Sequence, residues 1–496
     1  MTEKVKVNDL YYKDKVKALG RIIREGGLVA FPTETVYGLG GNALDAGAAK
    51  KIYAAKGRPS DNPLIVHVAD PSEVEKYAAE VSPLARRLMD TFWPGPLTIV
   101  FPKKDCIPME TSGGLFTIAI RCPRSEATRA LIRAAGVPIA GPSANISTRP
   151  SPTTADDVLH DMNGRIAAVI DGGPCQIGLE STVVGIEGGE IVIYRPGGTT
   201  KEALSAIAPT TVDSALAKDG AHPKAPGMKY KHYAPKADMV IVDGTRKHVI
   251  AKINELVASH RDDGKKIAVI ATEETKQFYD ADVVLSMGSR ADEDSIAHEL
   301  YRILRDCDEL DVDVIFSESF STPRIGQAIM NRMLKAAGHQ VIDTHVKYDK
   351  IIFVAQTGTC REQMAKGIMN DFVLKVPMEI EARGLVVQFP EPVNQKAEAV
   401  MISNGINWEN FTSTQLEDED FTDDTLVLTM EHSQLEKIFE KYPSAREENV
   451  YVLTELVGDE LEILDPYGGS LQSYGLCYET MRKSIIKLVK LLNEGE

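Results

Sequence analysis

Short β-type runs alternate with stretches of helical periodicity along almost the whole chain, and this alternation limits the possible folds more than any other feature. In the first two hundred residues, apolar runs occur at 27–31, 64–68, 97–101, 116–122, 182–186 and 190–194, with helical patterns between them at 48–55 and 83–92. Interleaved strands and helices are typical of domains in which helices pack on a sheet. The first part of the chain is therefore predicted to be an α/β domain with a twisted mixed sheet.

Changes in amino-acid composition and in hydrophobic periodicity divide the rest of the chain into further segments. Residues 209–235 are rich in Ala, Pro, Lys and Tyr and lack apolar periodicity, which predicts a linker. Beyond it, strands at 239–242, 266–271, 283–286 and 314–318 alternate with helices at 249–261, 294–306 and 325–337, which favours a small, open, Rossmann-like sheet. A further α/β unit opens with a strand at 351–355 and a helix at 363–372. We expect domains at 1–208, 236–344 and 349–496, with the linker at 209–235.

Charge is distributed unevenly between these domains. The chain of 496 residues carries 72 acidic and 56 basic side chains, a formal net charge of −16. Residues 349–496 hold 27 of the acidic and 13 of the basic side chains, and so account for −14 of that charge. Because phosphate neutralisation needs clustered Lys and Arg, the last third is a poor candidate for a nucleic-acid interface, and the remainder is close to neutral.

Cysteine spacing and hydropathy indicate the cellular compartment in which the protein resides. The six cysteines are far apart and form no CxxC pair, which argues against a zinc knuckle or a disulfide framework. No apolar run approaches the roughly 20 residues that span a bilayer, and no signal-peptide core follows the charged start. These features predict a cytoplasmic protein without a membrane segment.

The familiar glycine-rich nucleotide motifs are missing. The chain lacks GxxxxGK[ST], and residues 38–43 fail GxGxxG because Ala43 stands at the last position. A bound nucleotide must therefore be held by individual side chains. Lys56 and Arg58 flank Gly57 at the end of a predicted helix, where two cations suit a polyphosphate. The alternative is that Lys56 complements the helix C-terminus and Arg58 is solvated.

Other polar side chains lie in or after predicted strands. Alternation in the strand at 116–122 puts Arg121 opposite the isoleucines, where it either captures a carboxylate or is solvated. His67 lies within an apolar strand, as a core imidazole or as a ligand contact. Ser143 and Asn145 end an apolar run, as turn formers or as site residues.

Six motifs follow one another in the first domain: 32–40 (PTETVYGLG), 56–58 (KGR), 63–67 (PLIVH), 142–145 (PSAN), 179–182 (LEST) and 194–197 (YRPG). In this order they resemble the YrdC-like domain of the threonylcarbamoyl-AMP synthases. The linker sequence at 226–235 (PGMKYKHYAP) and the segment 326–332 (GQAIMNR) resemble the longer, two-domain form of that family. The resemblance covers residues 10–344.

The resemblance implies a nucleotidyltransferase that condenses L-threonine, bicarbonate or CO2, and ATP into threonylcarbamoyl-adenylate and pyrophosphate. This reaction begins the synthesis of N6-threonylcarbamoyladenosine in tRNA. Threonine carbamate is a weak, short-lived nucleophile, so the enzyme must hold it in line with the α-phosphorus and exclude water. Such a transfer asks mainly for positioning and charge neutralisation, which suits Lys, Arg, Ser and Asn side chains.

The resemblance also implies roles for particular residues. The catalytic tetrad that grips the triphosphate would be Lys56, Arg58, Ser143 and Asn145. The ATP site would be completed by Asn62, Thr117, Arg149, Arg195 and Tyr233. Arg121 would pair with the carboxylate of threonine, and its amine or hydroxyl end would be held by Thr35, His67 and Ser181.

Cofactor and partners follow from the same resemblance. Mg2+ is expected on the phosphates with most of its waters retained, so that no carboxylate cage is needed. The partners would be ATP, L-threonine, bicarbonate or CO2, and a threonylcarbamoyl-transferase machinery that receives the adenylate, while direct tRNA binding stays open. The linker is predicted to close over the loaded cavity as a lid, and the second domain to position the linker.

The third domain opens with a strand, an anion-sized loop and a helix, in which backbone amides and Arg361 make a phosphate cradle. The segments 351–365 (IIFVAQTGTCREQMA), 382–385, 426–430 and 465–469 (DPYGG) resemble the low-molecular-weight protein-tyrosine-phosphatase family. In that family the nucleophilic cysteine stands six residues before the arginine, where this chain has Ala355. Cys360 matches a second loop cysteine, and Asp465 the general acid.

This departure predicts a pseudophosphatase with a structural, dimerising or regulatory role, because the family's chemistry needs a thiolate at the base of the loop. The residue after the arginine, a Ser or Thr in the family, is Glu362, which would repel phosphate. The alternative is a second, phosphatase activity with Cys360 as a displaced nucleophile.

Two other functions remain as alternatives to the synthase. A YrdC-like RNA-binding module without catalysis is disfavoured by the near-neutral charge and by the complete ligand set. A carbamoyltransferase of hydrogenase maturation is disfavoured because the chain has neither paired CxxC zinc motifs nor an acylphosphatase segment.

Overall fold

A mixed sheet of eleven strands, flanked by helices, forms the first domain. The computed structural model describes residues 1–10, 14–213, 233–244, 246–320, 324–344, 348–406, 411–447, 449–459 and 461–494. Contacts divide the chain into two compact units, Met1–Thr344 and His345–Glu496. Most of the linker predicted at 209–235 lies outside the described residues.

The strands of the first domain are β1 Glu3–Lys6, β2 Val29–Phe31, β3 Gly38–Asn42, β4 Ile65–His67, β5 Leu97–Pro102, β6 Thr117–Arg121, β7 Ile139–Ala140, β8 Ala168–Asp171, β9 Thr182–Glu187, β10 Glu190–Arg195 and β11 Thr210–Val212. The helices are α1 Val7–Leu10, α2 Lys15–Arg24, α3 Ala46–Lys56, α4 Pro83–Phe92, α5 Glu126–Ala135, α6 Ala155–Met162 and α7 Lys201–Ser205. The strand order is β1-β8-β2-β3-β7-β4-β6-β5-β9-β10-β11, with parallel and antiparallel pairs. The predicted mixed-sheet α/β fold is confirmed.

Five strands of this sheet, β1, β3, β7, β8 and β11, were not predicted as strands, and for β3 and β11 the structure shows a physical reason. β3 reads GLGGN, and its glycines are needed because a Cβ on Gly38 would lie 2.5 Å from the ring of Phe31. β11 lies within the first residues of the predicted linker. These residues form an edge strand that pairs with β10. The predicted linker therefore begins later than residue 209.

The second domain is a small, open, all-parallel sheet with helices between its strands, as predicted. Its strands are β12 Asp238–Asp243, β13 Ile267–Ala271, β14 Val283–Ser286, β15 Val314–Glu318 and β16 Val341–Asp343, and its helices are α8 Arg246–Asp262, α9 Glu293–Glu309 and α10 Gly326–Ala336. The strand order is β14-β13-β15-β12-β16. β13 is buried along its whole length, as expected for a central strand covered on both faces.

The second unit is also a parallel α/β sheet. Its strands are β17 Lys350–Ala355, β18 Glu379–Gly384, β19 Thr425–Thr429 and β20 Val450–Val452, and its helices are α11 Arg361–Asn370, α12 Gln395–Ser403, α13 His432–Lys441, α14 Leu453–Leu456 and α15 Leu471–Glu494. The strand order is β18-β17-β19-β20. Across the described parts of both units, no helix combines the length and the apolar character that a membrane span requires.

Candidate active site

One cavity in the first unit gathers most of the predicted synthase residues. Eleven of the thirteen predicted side chains line it: Thr35, Lys56, Arg58, His67, Arg121, Ser143, Asn145, Arg149, Ser181, Arg195 and Tyr233. Five of these are Lys or Arg, and among the described residues that line the cavity Glu180 is the one carboxylate. The cavity therefore suits an anionic ligand.

Two predicted residues do not line the cavity. Asn62 is buried beside it, and its backbone carbonyl accepts a hydrogen bond of 3.3 Å from Nε of Arg58. Thr117 begins β6, while Arg121 ends the same strand. Four residues of extended chain separate the two by roughly 13 Å. Neither side chain reaches the space that the other eleven surround.

Lys56 binds the loop that carries Ser143 and Asn145. It is the last residue of α3, which ends because Gly57 adopts a left-handed conformation at φ 66°. Its Nζ donates to the backbone carbonyl of Ser143, to the carbonyl of Asn145 at 2.6 Å and to Oδ1 of Asn145 at 3.3 Å. Burial, and then the nearby charge of Arg58, lower the pKa of Lys56 well below its ordinary value. An anionic ligand would stabilise the charged form.

Arg121 is held rigidly in the cavity wall. Its guanidinium pairs with Oε1 of Glu34 at 2.7 Å, donates to Oγ1 of Thr35 at 2.9 Å and to the carbonyl of Gly95 at 3.1 Å. The Arg121 and Glu34 side chains are 4% and 3% exposed, which rules out the alternative of a solvated arginine. These contacts use three of the five N–H groups of a guanidinium, so two remain for a ligand carboxylate. Glu34 was not predicted, although it stands in the motif at 32–40.

His67 lies directly beside Arg121, because β4 and β6 run parallel with these two residues in register. Its Nδ1 lies 3.3 Å from the carbonyl of Ile139, which assigns the proton to Nδ1. Burial, and then the charge of Arg121, lower the pKa of His67 to about 3. The imidazole is therefore neutral at physiological pH, with Nε2 as a hydrogen-bond acceptor.

Ser181 joins the two sides of the cavity. Its hydroxyl lies 2.7 Å from Oγ1 of Thr98, and Arg195 donates to its carbonyl at 2.8 Å and to its hydroxyl at 3.2 Å. Both Ser181 and Arg195 are buried. The residues predicted for the two ends of the ligand thus contact each other.

Glu180 is held by residues from the second domain that sequence reasoning did not assign to the site. Nε of Arg332 lies 3.0 Å from Oε2 of Glu180, and the hydroxyl of Tyr301 lies within 2.9 Å of both carboxylate oxygens. The hydroxyl of Ser151 donates to Oε1 at 2.6 Å. Arg332 lies in the segment 326–332, which resembles the two-domain form of the family. The sequence therefore marked this residue, but the motif alone did not predict its contact with Glu180.

The loop of the phosphatase-like domain is filled by its own side chains. Ala355 ends β17, and Oε1 of Glu362 accepts the backbone N–H of Cys360 at 2.8 Å. Arg361 is buried and pairs with Asp465 at 3.1 Å and with Glu431. Burial raises the pKa of Glu362 to about 7, and burial also raises the pKa of the Cys360 thiol.

Three family models match successive parts of the chain. The Sua5/YciO/YrdC family, described as telomere recombination, matches residues 21–197. The threonylcarbamoyl-AMP synthase C-terminal domain matches residues 199–338, and the low molecular weight phosphotyrosine protein phosphatase family matches residues 350–496.

Relatives with assigned names and a solved structure agree with these matches. The threonylcarbamoyl-AMP synthase of Bacillus subtilis is 47% identical over 344 residues, which cover 69% of this chain and 97% of that protein. The threonylcarbamoyl-AMP synthase of Pyrococcus abyssi is 45% identical over 352 residues, covering 69% and 99%. A crystal structure of P. abyssi Sua5 in complex with L-threonine has a TM-score of 0.65 at 44% identity, and the match covers 70% of this chain and all of that one.

These relatives and the cationic cavity define a nucleotidyltransferase-type enzyme, an ATP-binding transferase of tRNA processing. Its first 344 residues have the two-domain architecture of the named relatives, and a phosphatase-like domain follows them. The chain belongs to the threonylcarbamoyl-AMP synthase family. The predicted synthase function is thereby confirmed, and so is the predicted fusion to a phosphatase-like domain.

Proposed function

We propose that the cavity binds L-threonine at Arg121 and the triphosphate of ATP at Lys56 and Arg58, and that it makes threonylcarbamoyl-AMP from these two and CO2 or bicarbonate. The observation that carries the proposal is the convergence of these three cations in one cavity. Because both reactants bind to cations of the same cavity, the carbamate and the α-phosphorus of ATP are held close together.

At the amino-acid end, Arg121 offers two N–H groups to the threonine carboxylate in a bidentate pair. Glu34 and Thr35 fix the plane of the guanidinium before a ligand binds, so less conformational entropy is lost on binding. Neutral His67 accepts a hydrogen bond from the ammonium or hydroxyl group through Nε2. The hydroxyl of Ser181 completes this end.

At the nucleotide end, Lys56, Arg58 and Arg195 neutralise the phosphates, the Ser143 hydroxyl donates a hydrogen bond, and Asn145 positions Lys56 through Oδ1. Among the described residues, no group of three His, Cys, Asp or Glu side chains could hold a metal ion. The one lining carboxylate, Glu180, is already paired with Arg332. This donor set fits a Mg2+ ion that enters on ATP and keeps most of its waters.

The chemical step balances without a covalent enzyme intermediate. The threonine ammonium first releases one proton to solvent, the free amine nitrogen attacks the carbon of CO2, and the nitrogen then releases a second proton to solvent, which forms a carbamate. A carbamate oxygen then attacks the α-phosphorus, the bond from the α-phosphorus to the bridging oxygen breaks, and its electron pair leaves with pyrophosphate. The chain contributes orientation, charge and exclusion of water.

The test measures pyrophosphate release by the full-length chain with each substrate omitted in turn. Release is expected only when ATP, threonine and bicarbonate are all present. In Arg121→Lys the charge opposite Glu34 remains but the planar fork is lost, so the KM for threonine should rise at least about tenfold with the KM for ATP within about twofold of wild type. Arg133→Lys, an exposed arginine of α5, is the matched control. Release without threonine, or equal behaviour of the two variants, would contradict the assignment.

The phosphatase-like domain hydrolyses no phosphomonoester in this proposal. Ala355 offers no thiolate, and Glu362 holds the Cys360 amide that a phosphate would need. Arg361 is neutralised by two carboxylates. If Cys360 were instead a displaced nucleophile, phosphotyrosine or phosphoarginine peptides would be turned over, and Cys360→Ser would abolish the rate.

The proposal extends to compartment and partners. All six cysteines are free thiols, which supports a reducing cytoplasm. Because the adenylate is labile, it passes to a threonylcarbamoyl-transferase machinery that carries out the tRNA step.

A further inference from the structure

A buried pair of hydroxyl groups belongs to the wall of the synthase cavity. Oγ1 of Thr98 lies 2.7 Å from Oγ of Ser181, and the two residues are 0% and 1% exposed. Ser181 lines the cavity, whereas Thr98 does not. The pair therefore connects the interior of the first domain to the surface that the substrates would contact.

The local sequence explains why a threonine lies at this place. β5 reads LTIVFP, and its alternation puts Leu97, Ile99 and Phe101 into the main apolar core of the first domain. Thr98 therefore belongs to the opposite face of the strand. β5 pairs in parallel with β9, and Ser181 is the residue directly before β9. The pairing of these two strands brings the two hydroxyl groups together.

The direction of this hydrogen bond follows from the partners of Thr98. A hydroxyl group has one proton to donate and two lone pairs that accept. Among the described residues, Ser181 is the one hydrogen-bond partner of the Thr98 hydroxyl. An unsatisfied donor in the interior costs free energy, so the proton of Thr98 is assigned to the bond with Ser181.

The Ser181 hydroxyl then keeps its own proton for a ligand. Its oxygen accepts from Thr98 and from the guanidinium of Arg195, which lies 3.2 Å away. These two bonds occupy both lone pairs of the oxygen. Toward a group in the cavity, the Ser181 hydroxyl therefore acts as a donor only.

Such a donor restricts the group that can bind to it. The threonine ammonium has no lone pair and cannot accept the Ser181 proton, whereas an oxygen can. The positive charge of Arg195 beside the same hydroxyl favours an oxygen that carries negative charge. In the proposed reaction, oxygens of this kind belong to the carbamate and to the α-phosphate, which meet between the amino-acid end and the nucleotide end.

We propose that Thr98 is a positioning residue of the synthase, which directs the Ser181 proton at an anionic oxygen of the reacting carbamate or α-phosphate. The inference rests on the proposed function of the cavity. Thr98 acts from behind the cavity wall and fixes the donor before the substrates bind, so that no reorientation is needed during the reaction.

The test measures steady-state pyrophosphate release by the full-length chain, with Thr98→Val as the first variant. Valine keeps the branched shape of threonine but cannot donate a hydrogen bond. We expect kcat/KM for ATP to fall about tenfold, with the KM for threonine within about twofold of wild type. Thr98→Ser keeps the hydroxyl group and should restore kcat/KM to within about threefold of wild type.

Thr111→Val is the matched control. Thr111 is also a fully buried threonine of the first domain, its hydroxyl donates to the carbonyl of Ala43 at 2.9 Å, and it does not line the cavity. Both valine variants should lower the thermal midpoint, but Thr111→Val should leave kcat/KM for ATP within about twofold of wild type. Failure of Thr98→Ser to recover activity would show that Thr98 has a merely structural role.

A double-mutant cycle with Ser181→Ala gives an independent readout, because Thr98 is inferred to act through Ser181. Thr98→Val should then add less than about twofold to the loss caused by Ser181→Ala. Additive losses in the double variant would contradict the inference. If Thr98→Val does not fold, Thr98→Ala takes its place in this cycle.

The affinity for ATP alone separates the two candidate oxygens. Weaker ATP binding by Thr98→Val would assign the Ser181 proton to the α-phosphate, and unchanged binding with a lowered kcat would assign it to the carbamate. If wild type releases no pyrophosphate, the proposed function fails. If wild type is active and Thr98→Val matches Thr111→Val in its kinetics, this inference alone is overturned.

Discussion

At the scale of single residues, the synthase cavity is built from ionisable groups kept in unusual states by burial. Burial lowers the pKa of Lys56 and keeps His67 neutral, and Arg121 is paired with an equally buried Glu34. Removing such groups from water costs free energy that the fold must offset elsewhere. A bound carboxylate and a bound triphosphate would offset part of that cost through their negative charge. Ligand binding should therefore raise the free energy of unfolding.

The buried state of His67 has a measurable consequence for stability. Its pKa is about 3 in the folded chain and 6.5 ordinarily, so the unfolded chain binds more protons between these values and stability falls as pH drops from 6.5. Between pH 6.5 and 5 this group alone removes about 2 kcal/mol. In that window His67→Asn, which keeps a donor near Ile139, should lose less stability than wild type.

Thermal midpoints at pH 6.5 and 5 measure this difference. Carboxylates whose pKa is raised by burial, such as Glu362 at about 7, titrate alike in wild type and in His67→Asn, so their contribution cancels from the difference between the two profiles. His160→Asn, at an exposed histidine of α6, is the control and should follow wild type. Parallel pH profiles for wild type and His67→Asn would show that His67 is not buried in the neutral form.

At the scale of elements, the alternating strands and helices were predictable because each carries its own local pattern. The strand at 283–286 and the helix at 83–92 were placed to the residue. β7, with only two residues, and the glycine-rich β3 have no such pattern, since their place is fixed by neighbouring strands.

The same limit applies to the site. Sequence motifs located Lys56 and Arg121, because these residue types stand out at the ends of elements. The motifs did not pair Arg121 with Glu34 or Arg332 with Glu180, because these partners are 87 and 152 residues apart and only the folded chain brings them together.

The loop between β17 and α11 allows a test at this scale. Ala355→Cys restores the family's nucleophile, yet Glu362 still holds the Cys360 amide, so we expect no hydrolysis of p-nitrophenyl phosphate above wild type. The double variant Ala355→Cys/Glu362→Ser also removes the buried carboxylate and should recover a measurable rate. Glu362→Ser alone is the control and should remain inactive. A rate in Ala355→Cys alone would show that Glu362 does not block the loop.

At the scale of the whole molecule, charge separates the two units. Residues 349–496 carry −14 of the net charge of −16, while the first 348 residues are close to neutral. Within the first unit, the cations of the cavity are matched to small anions rather than spread over a surface. The charge distribution of this chain is therefore unfavourable for binding tRNA, which is a polyanion. It is favourable for binding small anionic substrates.

This distribution predicts weak binding of tRNA by the full-length chain. Because binding to a phosphate backbone depends on clustered cations and counterion release, we expect no saturable tRNA binding below about 10 µM at physiological salt, while pyrophosphate release proceeds without tRNA. Filter binding with unmodified tRNA, run beside the pyrophosphate assay on the same preparation, separates the two functions. Tight tRNA binding without pyrophosphate release would favour an RNA-binding module over the synthase. Tight binding with release would contradict this prediction and show that the synthase itself binds tRNA.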